Sequence, residues 1–470
     1  MTTYHNDTPR SSRMTAPPRR RGLLVPPIIA STAVGLCLFL ALQGYYLGFL
    51  FASLFTMLLL GIPIAIALAG SCLIYVYLTG RVPDVVVAHR MINGVDSFPL
   101  LAIPFFILAG NLMNNGGITT RIFDFAKALM GWMRGGLGHV NVGASIVFSG
   151  MSGAAVADAG GLGTIEIKAM RDAGYDKEFA VGITAASSTI GPIIPPSLPM
   201  VIYGVMASTS VGQLFAAGLI PGLLMGAVLM IMITLLARRR GYPRDAAFSM
   251  RFLGVAAKRA FLSLLTPVII VGGIITGAFT PTEAAIAAVI YALLLGTVVY
   301  RTLTWRRLLK VSMETIETTA IILFIVAGAS IFAWILTSNQ VTQHVVALMG
   351  PFSDSKFAVL IFANLVLLVV GCFMETIAAI TILVPVLLPL AVAVGVDPVH
   401  FGVIMVLNLM IGLLTPPVGM VLYVLSRVSN ISFEQCMRGT LPFLVPLVIA
   451  LLLVTFVPAI SMWLPTLVYR

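Results

Sequence analysis

Charge is what this sequence has least of. Of 470 residues, 28 are Lys or Arg and 17 are Asp or Glu, so charged side chains form 10% of the chain against 59% hydrophobic. A soluble domain carries about 25% charged residues and under half apolar ones. A water-soluble globular fold is thereby excluded, and the mean hydropathy of +1.05 agrees. Histidine and cysteine are as sparse, at 5 and 4 residues. Cys37, Cys72, Cys372 and Cys436 lie far apart in or beside apolar segments, with no metal or redox spacing, and read as small packing residues. No Walker loop, dinucleotide fingerprint or Ser-His-Asp set is present. ATP hydrolysis and enzyme chemistry have no motif to rest on, and no cofactor is expected.

What the chain has instead is a series of apolar runs near the length of about 20 residues that spans a bilayer. The fold class this implies is an all-α polytopic membrane protein in the lipid bilayer. The net charge of +11 would suggest nucleic acid in a soluble protein. Here the basic residues gather in short loops, as the positive-inside rule describes, and no nucleic-acid partner is expected. Arg238, Arg239, Arg240, Arg244, Arg251, Lys258 and Arg259 fill one loop, and Arg301, Arg306, Arg307 and Lys310 another. Both are placed in the cytoplasm.

Residues 1–22 are polar and rich in Pro and Arg, the composition of a disordered cytoplasmic tail. The apolar stretch 23–44 follows Arg19, Arg20 and Arg21. A signal peptide is the competing reading. The run is longer than a signal core and lacks an Ala-x-Ala site, so an additional, uncleaved transmembrane helix with its N-terminus inside is favoured. Residues 137–160 are full of Gly, Ser and Ala and lead through Asp158 into what reads as a charged surface stretch from Glu166 to Glu178. Such a segment suits a re-entrant hairpin packed inside protein. Residues 117–134 are amphipathic and suit the membrane interface.

An internal repeat organises the rest. Gly150 and Gly371, Gly191 and Gly412, Pro195 and Pro416, Pro196 and Pro417, and Pro221 and Pro442 are all 221 residues apart. The chain therefore reads as two repeats, 47–240 and 261–470, joined by a basic linker at 241–260. The two cytoplasmic loops leave room for two helices between them, and inverted topology of the halves is expected. Paired halves with Gly/Pro-interrupted segments at matching positions point to a transporter site near the bilayer midplane.

Within a helix, a proline cannot donate to the carbonyl four residues earlier. Pro195 and Pro196 would free the carbonyls of Gly191 and Pro192, and Pro416 and Pro417 those of Gly412 and Leu413. Such carbonyls are costly in a membrane unless satisfied. A kinked helix satisfied by water or a neighbouring Ser is the plainer account. Two symmetric breaks favour sodium, a hard cation that takes backbone oxygens. Ser149, Ser152, Ser187, Ser188, Ser197 and Thr415 carry hydroxyls that could complete such a shell. The half-helix N-termini would favour an anionic substrate. Polar residues at membrane depth are functional candidates, here Asp158, Glu375, Thr376 and Asn408, although both carboxylates read equally well as hairpin-stabilising groups. Glu283 is better explained as a helix cap.

Three stretches resemble the large subunit of tripartite ATP-independent periplasmic (TRAP) transporters. They are Asp96-Ser-Phe-Pro-Leu-Leu-Ala-Ile-Pro, Ser187-Ser-Thr-Ile-Gly-Pro-Ile-Ile-Pro-Pro-Ser and Gly412-Leu-Leu-Thr-Pro-Pro-Val-Gly. Phe279-Thr-Pro-Thr-Glu-Ala and Asp397-Pro-Val-His-Phe-Gly add to the likeness, which runs from about residue 47 to the C-terminus. The resemblance implies an elevator-type fold, with a mobile transport domain and a fixed scaffold, in the bacterial inner membrane. It implies sodium-coupled uptake of an organic anion delivered by a periplasmic solute-binding protein, with a small four-helix membrane subunit as third component. It assigns one sodium site to Ser149, Ser152, Gly191, Ile194 and Pro195, and a second to Gly371, Gly412, Thr415 and Val418. The family's large subunit often begins near the equivalent of residue 47, so the 23–44 helix is a departure. The alternative is an ion-coupled carboxylate or oxyanion transporter that needs no binding protein.

Overall fold

The structure is a computed structural model that describes residues 27–80, 82–83, 85–242, 244, 248–350 and 354–469. The tail expected at 1–22 lies outside the described residues, as does part of the basic linker. Among the described residues the chain is helical, without a β-strand. Eight helices are long and apolar enough to cross a membrane.

The first half runs α1 (Pro27–Leu42), α2 (Tyr46–Leu59), α3 (Ile64–Thr79), α4 (Val85–Val95), α5 (Ala102–Asn115) and α6 (Ile118–Met130). It continues through α7 (Gly136–Ser152), α8 (Ala155–Gly160), α9 (Leu162–Asp172), α10 (Lys177–Ser188), α11 (Leu198–Met206) and α12 (Val211–Arg240). The second half runs α13 (Met250–Ile275), α14 (Pro281–Leu294), α15 (Trp305–Ser338), α16 (Val341–Met349) and α17 (Lys356–Phe373). It ends with α18 (Thr376–Ala393), α19 (Pro398–Gly412), α20 (Met420–Ser429), α21 (Phe433–Phe456) and α22 (Ala459–Val468). The 221-residue offset reappears in the helix boundaries: α8 starts at Ala155 and α18 at Thr376, and α10 starts at Lys177 and α19 at Pro398.

Helix packing follows the same symmetry. The pair α10 and α21 is matched by α19 and α12, α5 and α14 by α15 and α3, and α8 and α20 by α18 and α11. Each half thus packs its elements against the other half's. The two halves are inverted repeats built from hairpins and broken helices, and α10 and α11 do not fold back on one another.

Local chemistry sets the boundaries. Gly61, at φ +81°, and Pro63 split the apolar segment 47–78 into α2 and α3. Glu283 forms a capping box with Thr280, its Oε2 accepting the Thr280 N–H at 2.8 Å, as the sequence suggested. Of the apolar 23–44 stretch the described part forms α1, which leans on α2 with Cys37 Sγ 3.4 Å from Thr56 Oγ1. Buried at the centre are α10 from Phe179 and α19 from Val399 onward, both to their last residues. Burial on all sides marks core helices. Backbone meets backbone where α10 crosses α21, because Gly182 and Gly439 face each other and neither has room for a Cβ.

Candidate functional site

Both core helices stop at the break foreseen from the prolines. α10 ends at Ser188 and the chain resumes as α11 at Leu198, while α19 ends at Gly412 and α20 begins at Met420. The Pro195–Pro196 and Pro416–Pro417 bonds are both cis. A hairpin tip is seated on each break. At the first, Gly153 turns the tip between α7 and α8 at φ +64°, and its carbonyl accepts the Leu198 N–H at 3.4 Å. A Cβ on Gly153 would stand 2.7 Å from the Pro196 carbonyl oxygen. At the second, the tip between α17 and α18 is tied by the Val418 N–H to the Cys372 carbonyl at 3.2 Å. There Gly371 lies directly on Gly412, where a Cβ would fall 2.6 Å from the Gly371 carbonyl carbon.

The carbonyl argument is corrected in part. Gly412 O is not free: it accepts the Thr415 N–H at 3.0 Å and the Thr415 hydroxyl at 2.8 Å. Pro192 O accepts the Ser197 hydroxyl. The argument assumed helix continuing through the prolines, whereas the chain leaves the helix and closes tight turns. Gly191 O and Leu413 O accept no hydrogen bond among the described residues. Ser149 Oγ donates to Ile146 O at 2.6 Å, which uses its proton and leaves its lone pairs able to accept. The side chain of Ser152 lies outside the described residues.

Between the breaks lies a cavity of about 390 Å³, a size suited to a small molecule. Glu375 and Thr376 line it, as do Pro192, Leu198, Leu413 and Met420 from the two breaks. Its opposite wall is formed by Asn111 and Asn114 of α5 and by Thr318 and apolar residues of α15. The two asparagines and Thr318 were missed because nothing local marks a polar residue on a scaffold helix as facing a cavity. The starts of α8, α11, α18 and α20 all reach this wall. Ser197 Oγ caps α11 and Glu375 Oε2 caps α18, accepting from Ile377 N at 2.9 Å. No side chain caps α8 or α20. Thr376 Oγ1 is buried without a partner.

The remaining candidates lie behind the cavity wall. Ser188 Oγ donates to Ala185 O at 2.8 Å. Ser187 Oγ donates to Asn141 Oδ1 at 2.6 Å. Asn408 Nδ2 binds Asn364 Oδ1 at 2.8 Å. Asp158 is buried in α8, and an added Gly191 Cβ would lie 3.8 Å from its Oδ2. Two residues differ from their sequence reading. Glu166 is 1% exposed and not on a charged surface, because α9 packs it against α7 and α10. Cys372 is not mere packing: its Sγ lies 2.9 Å from Thr415 Oγ1 at the second break.

Comparison with known proteins agrees with this geometry. The family described as tripartite ATP-independent periplasmic transporter, DctM component, matches residues 51–460. The sialic acid TRAP transporter large permease protein of Vibrio cholerae is 51% identical over 422 residues, covering 90% of this chain and 97% of that one. The C4-dicarboxylate large permease protein of Pseudomonas aeruginosa is 42% identical over 385 residues, 82% of this chain and 90% of its own. In fold, the chain is similar to the Alcanivorax borkumensis YdaH transporter, with a TM-score of 0.58, 13% identity, and 81% of this chain and 88% of that one covered. The motif matches, the paired breaks and these relatives agree: the chain is an inner-membrane transporter subunit, not an enzyme, and belongs to the DctM family of TRAP transporter large permease proteins.

Proposed function

We propose that this chain is the large permease of a sodium-coupled importer of a small organic anion, a carboxylate or sugar acid. A periplasmic binding protein delivers the anion, and a small four-helix membrane subunit completes the complex. The observation that carries the reading is the convergence of helix starts on one cavity that, among the described residues, no Lys or Arg lines: those of α11 and α18 are capped by Ser197 and Glu375, and those of α8 and α20 are left for an anion. Helix N-termini favour negative charge, each by about 0.3–1 kcal/mol and more where water is excluded. The sodium sites are proposed at the two breaks, through Ser149, Ser152, Gly191, Ile194 and Pro195, and through Gly371, Gly412, Thr415 and Val418. The unpaired Gly191 carbonyl and the uncommitted lone pairs of Ser149 support the first. Thr415 and the close Gly371–Gly412 contact support the second. Elevator motion is supported by the position of the cavity, which lies between the hairpin-and-break unit and the α5/α15 wall. The similarity to a sialic acid permease makes sialic acid the first substrate to test.

The test is uptake into liposomes holding this chain and its small subunit. Radiolabelled sialic acid and a C4-dicarboxylate are offered with and without the binding protein, under a sodium or a potassium gradient. Uptake is expected only with sodium and binding protein together. Full uptake without the binding protein would move the chain to the two-component class, and equal uptake in potassium would remove the sodium coupling.

A further inference from the structure

Neither the cavity nor the break turns account for two carboxylates in the first half. Asp158 and Glu166 are 2% and 1% exposed. Glu166 Oε2 accepts the Asn141 Nδ2–H at 2.7 Å, and Oε1 has no partner. Among the described residues neither oxygen of Asp158 makes a well-aligned hydrogen bond, and the Ser145 hydroxyl beside it is the one group placed to donate to it. The amide of Asn141 is already committed. Its Nδ2 also donates to Thr184 Oγ1 at 2.7 Å, and its Oδ1 accepts from Ser187. Glu166 Oε1 is left without a donor, and the two Asp158 oxygens have at most the Ser145 hydroxyl between them. Gly191, where an added Cβ would lie 3.8 Å from Asp158 Oδ2, has a carbonyl that accepts no hydrogen bond among the described residues. Burying one unpaired charge in a low-dielectric interior costs several kcal/mol, and a second like charge nearby adds to that.

We propose that Asp158 and Glu166 hold a sodium ion of their own, a third cation site behind the first break. The choice of sodium rests on the reading of the chain as a sodium-coupled permease. Hard cations take several oxygen ligands, and carboxylate and backbone oxygens are the preferred kind. Unpaired oxygens of both kinds are present here, with no competing basic side chain among the bonded partners. The site is not a consequence of the repeat. At the equivalent second-half positions, Asp158 is replaced by Ala379, Glu166 by Leu387, Asn141 by Phe362 and Thr184 by Met405. The fold stands without the carboxylates in that half, so their retention in the first calls for a ligand. The pair also adjoins Gly191, so an ion held there acts on the geometry of the first break.

The experiment measures ²²Na⁺ bound to the purified full-length chain in lipid nanodiscs across a sodium titration, which gives the number of sites filled at wild-type affinity. Two double variants are compared with wild type, Asp158→Asn/Glu166→Gln and Ser149→Ala/Thr415→Val. The carboxamide variant is expected to bind one sodium fewer than wild type. The hydroxyl variant is expected to retain one bound sodium. A carboxamide variant that binds as much sodium as wild type overturns the proposal. So does a hydroxyl variant that binds none, an outcome that would leave the break sites intact as the whole of sodium binding. The reverse pattern, loss in the carboxamide variant with no loss in the hydroxyl variant, keeps this site and refutes the break sites. Should the carboxamide variant not fold, the hydroxyl variant alone decides.

Discussion

The two breaks share a backbone plan and differ in what stands around them. Behind the first are Asn141, Ser145, Asp158, Glu166 and Thr184, and behind the second Phe362, Val366, Ala379, Leu387 and Met405. Conversely, the first break leaves its glycine a slightly tight contact, while the second clamps glycine on glycine. Gly191 could take a Cβ at 3.3 Å from Ser188 O, whereas Gly412 has the Gly371 backbone at 2.6 Å. The first half backs its break with buried carboxylates, and the second backs its own with apolar side chains and the neutral Asn364–Asn408 pair. Repeat symmetry therefore fixes the path of the chain, while the chemistry at each end is free to diverge.

The largest effect expected from this difference is at the glycines. Gly412→Ala forces two backbones apart, and overpacking of a rigid contact costs about 1–3 kcal/mol or more. The second hairpin should lift, uptake should fall to background and the thermal midpoint should drop. Gly191→Ala meets only ordinary or slightly tight contacts and should cost under about 1 kcal/mol. Thermal unfolding of the two variants side by side checks this, and equal losses would show that the second clamp is no tighter than the first.

Sodium affinity is the next largest effect. Thr415→Val and Ser149→Ala each remove one hydroxyl with little change of shape. Loss of one such ligand is worth about 1–3 kcal/mol, or about five- to a hundredfold in sodium affinity. The carboxylate of Asp158 remains near the first break, so Ser149→Ala belongs at the lower end of that range and Thr415→Val at the upper. Uptake measured against sodium concentration gives both curves, and high sodium should partly rescue each. If both variants keep the wild-type curve, the breaks are only kinks.

Much of this was legible because proline and glycine act locally. The consecutive pairs Pro195-Pro196 and Pro416-Pro417 break helix where the isolated Pro221, Pro267 and Pro442 are carried inside one, so the breaks and their symmetry followed from the sequence. Glu283 was readable as a cap because a capping box spans three residues. The carbonyl of Gly412 was misread because its partner depends on a turn that the prolines permit but do not specify. Glu166 looked exposed because α9 is polar in composition, and only its packing on α7 and α10 buries it. Asn111, Asn114 and Thr318 were invisible as cavity residues for a related reason. Their role depends on which face of α5 or α15 meets the opposite half, a long-range fact that residue spacing does not encode.

Cys372 offers the smallest perturbation and the sharpest separation of the two breaks. It is half-buried, while Cys37, Cys72 and Cys436 are buried, so a small thiol reagent should label it first. Its equivalent in the first half is Met151, so the label reports on the second break alone. The thiol lies 2.9 Å from Thr415 Oγ1, a hydroxyl proposed to face the second sodium. An ion bound there holds Thr415 and the hairpin tip in place and restricts access to the sulfur. Sodium should therefore slow labelling in proportion to occupancy, with potassium giving no protection. Ser149→Ala should leave that protection unchanged, because the affected site is in the other half. Thr415→Val should shift protection to higher sodium by the same factor as its uptake curve. Cys372→Ala should abolish labelling and move the sodium curve by no more than about twofold, since a weak thiol contact is worth well under 1 kcal/mol. Labelling that responds to Ser149→Ala as strongly as to Thr415→Val would mean that the breaks act as one coupled site rather than two.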